Sequence, residues 1–153
     1  MASNSAIQTS SSSIPFQVTH SCLVASLQGI VDDAELIEFQ KRILQAVKST
    51  AILGVVLDMS QLDMIDDITF ERLSKIANSL RMLGTSVAYS GFQPPVVAAL
   101  VHFEADTSQI NAFHNLEAAI VFLNQSFQIA EKEADLSEPE SPENPPQQEQ
   151  TDE

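Results

Sequence analysis

The chain has 153 residues, long enough for one domain with a real core. Its 21 Asp and Glu outnumber 7 Lys and Arg, a net charge of −14, which leaves no basic surface for binding nucleic acid. One cysteine excludes an internal disulfide and a cysteine-based zinc cluster, and no run of about 18 apolar residues offers a membrane span.

Much of the charge is local. Residues 131–153 hold nine acids and one Lys, a net −8, so residues 1–130, with 12 acids and 6 bases, are only mildly acidic at −6. The first segment, 1–13, is MASNSAIQTSSSS, with six Ser and no periodicity; it reads as disordered. It lacks the basic start and apolar centre of a signal peptide, so a cytoplasmic location is expected.

Residues 14–27 read as two short strands. Phe16 and Val18 alternate with polar neighbours, Thr19-His20-Ser21 is a turn, and 22–27 is a deeper run in which Cys22 is a small core residue. After a loop at 28–31, Asp32 and Asp33 open a helix as N-cap and first-turn acids. Leu36, Phe39, Ile43 and Val47 form its inner face, with Ile37 and Leu44 beside them.

Residues 52–57, ILGVVL, form a short apolar run of the kind found in a strand buried on both faces. A polar turn over 58–67 is expected next, carrying Asp58, Asp63, Asp66 and Asp67. From Ile68 the period becomes helical, with Leu73, Ile76, Ala77, Leu80 and Leu83 on one face. Asp66 and Asp67 stand at its start, where a carboxylate accepts from free N–H groups. One cap accounts for one of them; it leaves Asp63 and the Met64-Ile65 pair unexplained.

Gly84 fits a helix C-cap, and 86–90 is the next strand. Pro94 and Pro95 lead into a short helix over 96–101, 108–111 is a candidate edge strand, and Asn115 caps a last helix with Leu116, Ala119, Ile120, Leu123 and Phe127 inward. From Glu131 the acidic, Pro-rich composition reads as a disordered tail. The order β-β-α-β-α-β-α-β-α predicts an α/β fold for 14–130: a mixed sheet that starts with a hairpin, and about four helices packed mainly on one side.

No phosphate-binding Gly-rich loop with Lys and no G-x-S-x-G turn occurs. His20, His102 and His114 show no ligand spacing. The acidic loop carries the residue types for Mg²⁺, as a small phosphotransfer enzyme would use, but no Lys follows at a later strand end to neutralise a phosphoryl group. No enzyme, metal or cofactor is expected.

At this loop the chain resembles the STAS domain of anti-anti-sigma factors, and within it the RsbS-type stressosome scaffolds. The resemblance rests on Asp58-Met59-Ser60, on Asp63-Met64-Ile65-Asp66 and on Gly91-Phe92-Gln93-Pro94, with Ile14-Pro15, Cys22-Leu23-Val24 and Asp32-Asp33 in the same order. It implies a STAS fold over about 14–128 and a scaffold that co-assembles with itself and with RsbR-type STAS paralogues. It also implies sequestration of an RsbT-like switch serine/threonine kinase, released on phosphorylation. The free anti-anti-sigma factor that binds an anti-sigma kinase directly is the other form the family offers. The phosphoacceptor position after Asp66 would be Ser; here it is Asp67, which has no hydroxyl but holds a negative charge there. Two origins fit: a natural protein held near its phosphorylated state, or a deliberate phosphomimetic substitution. Thr69 is either a substitute acceptor or a first-turn helix residue. Asp63, Met64, Ile65, Asp66 and Ile68 would lie around the partner surface.

Overall fold

The structure, a computed structural model, describes residues 13–137. The expected disorder of 1–13 lies outside them but for Ser13, and that expected of 131–153 lies outside them from residue 138 on.

The chain opens with a hairpin, β1 (Phe16–Thr19) and β2 (Cys22–Gly29), paired antiparallel. His20 and Ser21 both take positive φ, 51° and 61°, the twist that a two-residue hairpin loop requires. Helix α1 (Asp33–Ser49) follows, with Asp32 at its N-cap. The Glu35 N–H donates to Asp32 Oδ1 at 2.8 Å, and the Asp32 N–H donates to Glu35 Oε2 at 2.9 Å, a reciprocal box that fixes the helix start. Strand β3 (Gly54–Leu62), helix α2 (Asp67–Met82), strand β4 (Ser86–Ser90), helix α3 (Pro94–His102), strand β5 (Ala112–Phe113) and helix α4 (Leu116–Leu136) complete the order.

The five strands lie in chain order, β1-β2-β3-β4-β5, with every pair after the hairpin parallel. Strand alternation divides the core. Leu23, Ala25 and Leu27 of β2 and Val55, Leu57 and Met59 of β3 face one way, toward Phe39, Ile43, Leu73, Ile76 and Leu80. Cys22, Val24, Val56 and Ala88 face the other way, onto Ala119 and Leu123 of α4. Helices α1 to α3 thus cover one face and α4 the other. Gly54 lets α4 settle there, since a Cβ at Gly54 would come within 2.8 Å of Leu123 Cδ1.

Several features differ from the sequence expectation: β2 runs on to Gly29 where a loop over 28–31 is expected, β3 begins at Gly54 rather than Ile52, and α3 spans Pro94–His102 rather than 96–101. The polar turn over 58–67 is a strand as far as Leu62. Its period of two is hidden by a bulge: Ser26 pairs Asp58 but Gln28 pairs Gln61, so β3 carries one extra residue. The extra residue shifts the alternation and turns Leu62 onto the same core face as Met59. Strand β5 sits at 112–113 rather than 108–111, where the backbone turns instead. Inside α2, Phe70 is buried and Leu83 is half-exposed, because the helix ends at Leu83 in a Schellman turn. There the Gly84 N–H donates to Arg81 O at 2.9 Å and the Thr85 N–H to Leu80 O at 3.1 Å, with Gly84 at φ 83°. Finally, α4 runs on through Leu136, past the boundary expected at Glu131. Glu131, Lys132, Glu133 and Ala134 are good helix formers, so polarity there marks solvent exposure and not the loss of helix.

Candidate functional site

Strand β3 ends at the C-terminal edge of the sheet, and residues 63–66 link it to α2. In open parallel sheets this edge is where binding sites form. The linker is held at both ends. The Asp63 N–H donates to Gly29 O at 2.9 Å, tying it to the end of β2. Ile65 points inward, 6% exposed, and joins the core cluster beneath α1 and α2.

That anchoring sorts the expected surface residues. Met64 and Ile68 are 58% and 61% exposed, large apolar side chains left in solvent on either side of the helix start. Asp63, Asp66 and Asp67 are exposed as well. Ile65 is not available to a partner; its expected place on the partner surface is corrected to a core anchor, because a short link between a buried strand and an amphipathic helix must bury one apolar side chain to seat itself.

The two carboxylates at the helix start have separate roles. Asp66 is the N-cap, and its Oδ1 accepts from the Thr69 N–H at 2.7 Å. Asp67 is the first helical residue, with Oδ1 accepting from the Ile68 N–H at 2.9 Å. The Thr69 side chain first, and its backbone N–H second, hydrogen-bond the Asp66 carboxylate and hold it below the usual aspartate range. Thr69 is half-buried, and its backbone N–H serves this cap.

A group whose folded pKa is depressed stabilises the fold above its unfolded pKa and loses that contribution as pH falls through the folded one. Asp66→Ala should therefore cost about 1 kcal/mol at pH 7. That cost should shrink as pH drops below about 4, whereas Asp66→Asn should keep most of the cap without this pH dependence. Thermal melts of the three proteins from pH 7 to pH 2.5 check this; a cost independent of pH would show that the charge on Asp66 contributes nothing.

Asp58 stands apart. Alternation puts it on the α4 side of β3, where Oδ1 accepts from the Ser60 N–H at 3.0 Å and lies 3.5 Å from Ser90 Oγ, its cross-strand partner. The four acids of the loop region are thus not gathered, and among the described residues no three His, Cys, Asp or Glu side chains meet as a metal-holding group.

Next to β3, Gly91 ends β4 at φ 71°, and a Cβ there would meet Ser60 Cβ at 2.9 Å and Ser60 N at 3.2 Å. Only glycine fits both the conformation and the approach. Phe92 then stacks on Tyr89 at 5.8 Å, and Pro94 and Pro95 start α3. The Gly91-Phe92-Gln93-Pro94 segment therefore packs the second loop of this edge against the end of β3 at Ser60. Composition alone does not show this contact; a glycine directly after a strand was its one sequence signal.

A family model described as the STAS domain matches residues 13–119. The chain belongs to the STAS family. Its fold is that of RsbS from Moorella thermoacetica in a serine-to-glutamate variant, with a TM-score of 0.65, 22% identity, and coverage of 75% of this chain and 97% of that one. A chain from the stressosome, described as a signal integration and transduction hub, superposes with a TM-score of 0.61 at 21% identity, covering 74% of this chain and 99% of that one. The anti-sigma factor antagonist SpoIIAA in its unphosphorylated form gives 0.54 at 18% identity, covering 68% and 92%. No curated protein matches the chain by sequence. No helix among the described residues is long and apolar enough to cross a membrane.

Proposed function

We propose that this protein is a non-enzymatic scaffold and regulator of the stressosome type. It would co-assemble with itself and with larger RsbR-type STAS paralogues in the cytoplasm and hold an RsbT-like switch serine/threonine kinase until phosphorylation releases it. The observation that carries this reading is the exposed start of α2. There a carboxylate, Asp67, stands at the first helical position between two exposed apolar residues, Met64 and Ile68. An apolar pair gives a docking partner contact area, and a single charge between them gives a means of weakening it. Phosphate at this position would add charge and acceptor oxygens at a helix N-terminus; here Asp67, which has no hydroxyl, supplies a standing negative charge in its place.

The test is assembly. Light scattering on the protein mixed with an RsbR-type paralogue should give a high-mass complex containing both chains, to which the kinase adds. A protein that stays monomeric with the paralogue and still binds an anti-sigma kinase would overturn the scaffold reading in favour of a free anti-anti-sigma factor. Magnesium binding in calorimetry, with phosphate transfer, would overturn both.

A further inference from the structure

Along α2, Asp67, Phe70, Glu71, Ser74, Asn78 and Arg81 recur at three- and four-residue intervals and so form one stripe down the helix. The segment after α3 supplies the facing wall through Phe103, Ala105 and Asp106. Between them lies a groove of about 270 Å³, with Tyr89 of β4 in its lining. Ser74 and Ala105 are small residues of its lining. One end is closed: the Arg81 guanidinium donates to Asn78 Oδ1 at 2.9 Å and to Gln109 O at 2.6 Å. The other end opens at Asp67.

The lining has a definite chemistry. Phe70 and Phe103 stand 6.2 Å apart, centroid to centroid, and offer apolar faces. Three carboxylates, from Asp67, Glu71 and Asp106, are set against one guanidinium that is already engaged. Hydrogen bonds from Ser108 hold the Asp106 carboxyl below the usual range, and the Lys75 hydrogen bond does the same for Glu71. Lys75 pairs with Glu71 at 2.8 Å, but both side chains are about two-thirds exposed, and such a pair is weak; Arg72 turns away to Asp33 of α1. Tyr89 is only 2% exposed, and its hydroxyl makes no hydrogen bond among the described residues while bordering the groove. Without a protein partner, that hydroxyl is left to hydrogen-bond whatever occupies the groove.

We propose that this groove binds a small amphipathic organic cation: an amine on an aromatic or branched apolar body. The body packs against Phe70 and Phe103, the ammonium faces the carboxylates, and a polar group meets the Tyr89 hydroxyl. The closed end at Arg81 and a volume near the lower limit for ligand pockets fit a small molecule and not a polypeptide segment. The carboxylates select against anions. The site goes beyond the scaffold reading and does not depend on it.

The test uses the full chain alone, with 2-phenylethylamine as probe and 3-phenylpropionate as its anionic counterpart. Ligand-observed and amide-shift NMR should show saturable binding of the amine, with shifts centred on Ser74, Asn78 and Ala105, and none from the anion. Glu71→Gln should weaken binding about five-fold. Ser74→Leu should fill the groove and abolish binding, with an unchanged circular dichroism spectrum. Equal binding of amine and anion, no saturable binding of the amine at millimolar concentration, or shifts centred instead between α1 and α2 around Ile37 would overturn the proposal. No arm involves the kinase, so the groove and the scaffold reading fail separately.

Discussion

Asp67→Ser should bind the switch kinase about ten-fold more tightly than the unmodified protein and should take up phosphate from ATP in its presence. Ten-fold corresponds to about 1.4 kcal/mol, the scale expected when one charge is removed from the edge of a docking surface. Asp67→Ala should tighten binding similarly but block phosphorylation at this position. The fold tolerates both changes, because the α2 cap is Asp66 and not Asp67. What Asp67 contributes to stability is its interaction with the helix dipole, on the order of 0.5 kcal/mol for an exposed carboxylate. Kinase affinity by calorimetry, with phosphate located by mass spectrometry, checks the three proteins. Equal affinities, or phosphate on Thr69 of the unmodified protein, would place the switch elsewhere.

A second substitution separates anchoring from recognition. Ile65→Ala should destabilise the fold by about 2–4 kcal/mol, since a buried Ile loses both its transfer free energy and its packing. Against a typical total of about 5–15 kcal/mol, that would lower the melting temperature by about 10 °C. Met64→Ala and Ile68→Ala should change stability by no more than about 0.5 kcal/mol, because both side chains are already in solvent. Their effect should appear in kinase binding instead. Denaturation midpoints and kinase affinities, measured on the same three variants, give the comparison. If Ile65→Ala left stability unchanged, the linker would not be seated as the structure has it; if Met64→Ala and Ile68→Ala left affinity unchanged, the partner surface would lie elsewhere.

Local pattern carried the order of all nine elements, because each depends on signals a few residues apart. Asp32, Asp66 and Asn115 cap their helices through bonds to residues three positions on, Glu35, Thr69 and Ala118, and such caps are readable without knowing the rest of the fold. Strand β5 shows where this fails. It is two residues long, on a sheet edge, and its place is set by pairing with Tyr89 and Ser90 and not by its own composition.

By itself the sequence determined the alternation of strands and helices, the caps, the apolar faces, and the carboxylate in place of a hydroxyl at Asp67. These follow from backbone geometry and side-chain chemistry within one or two turns of chain. Only the tertiary structure decided that α4 covers the face of β3 that carries Val56 and Asp58, and that Leu62 turns to the opposite face, since the bulge in β3 appears only when Ser26 and Gln28 are paired across to it. It also decided that Ile65 is an anchor while Met64 and Ile68 remain free, and that Tyr89, Phe103 and the stripe of α2 close around one groove. Burial and long-range contact are properties of a packed surface, set by residues distant in the chain, and no local pattern contains them.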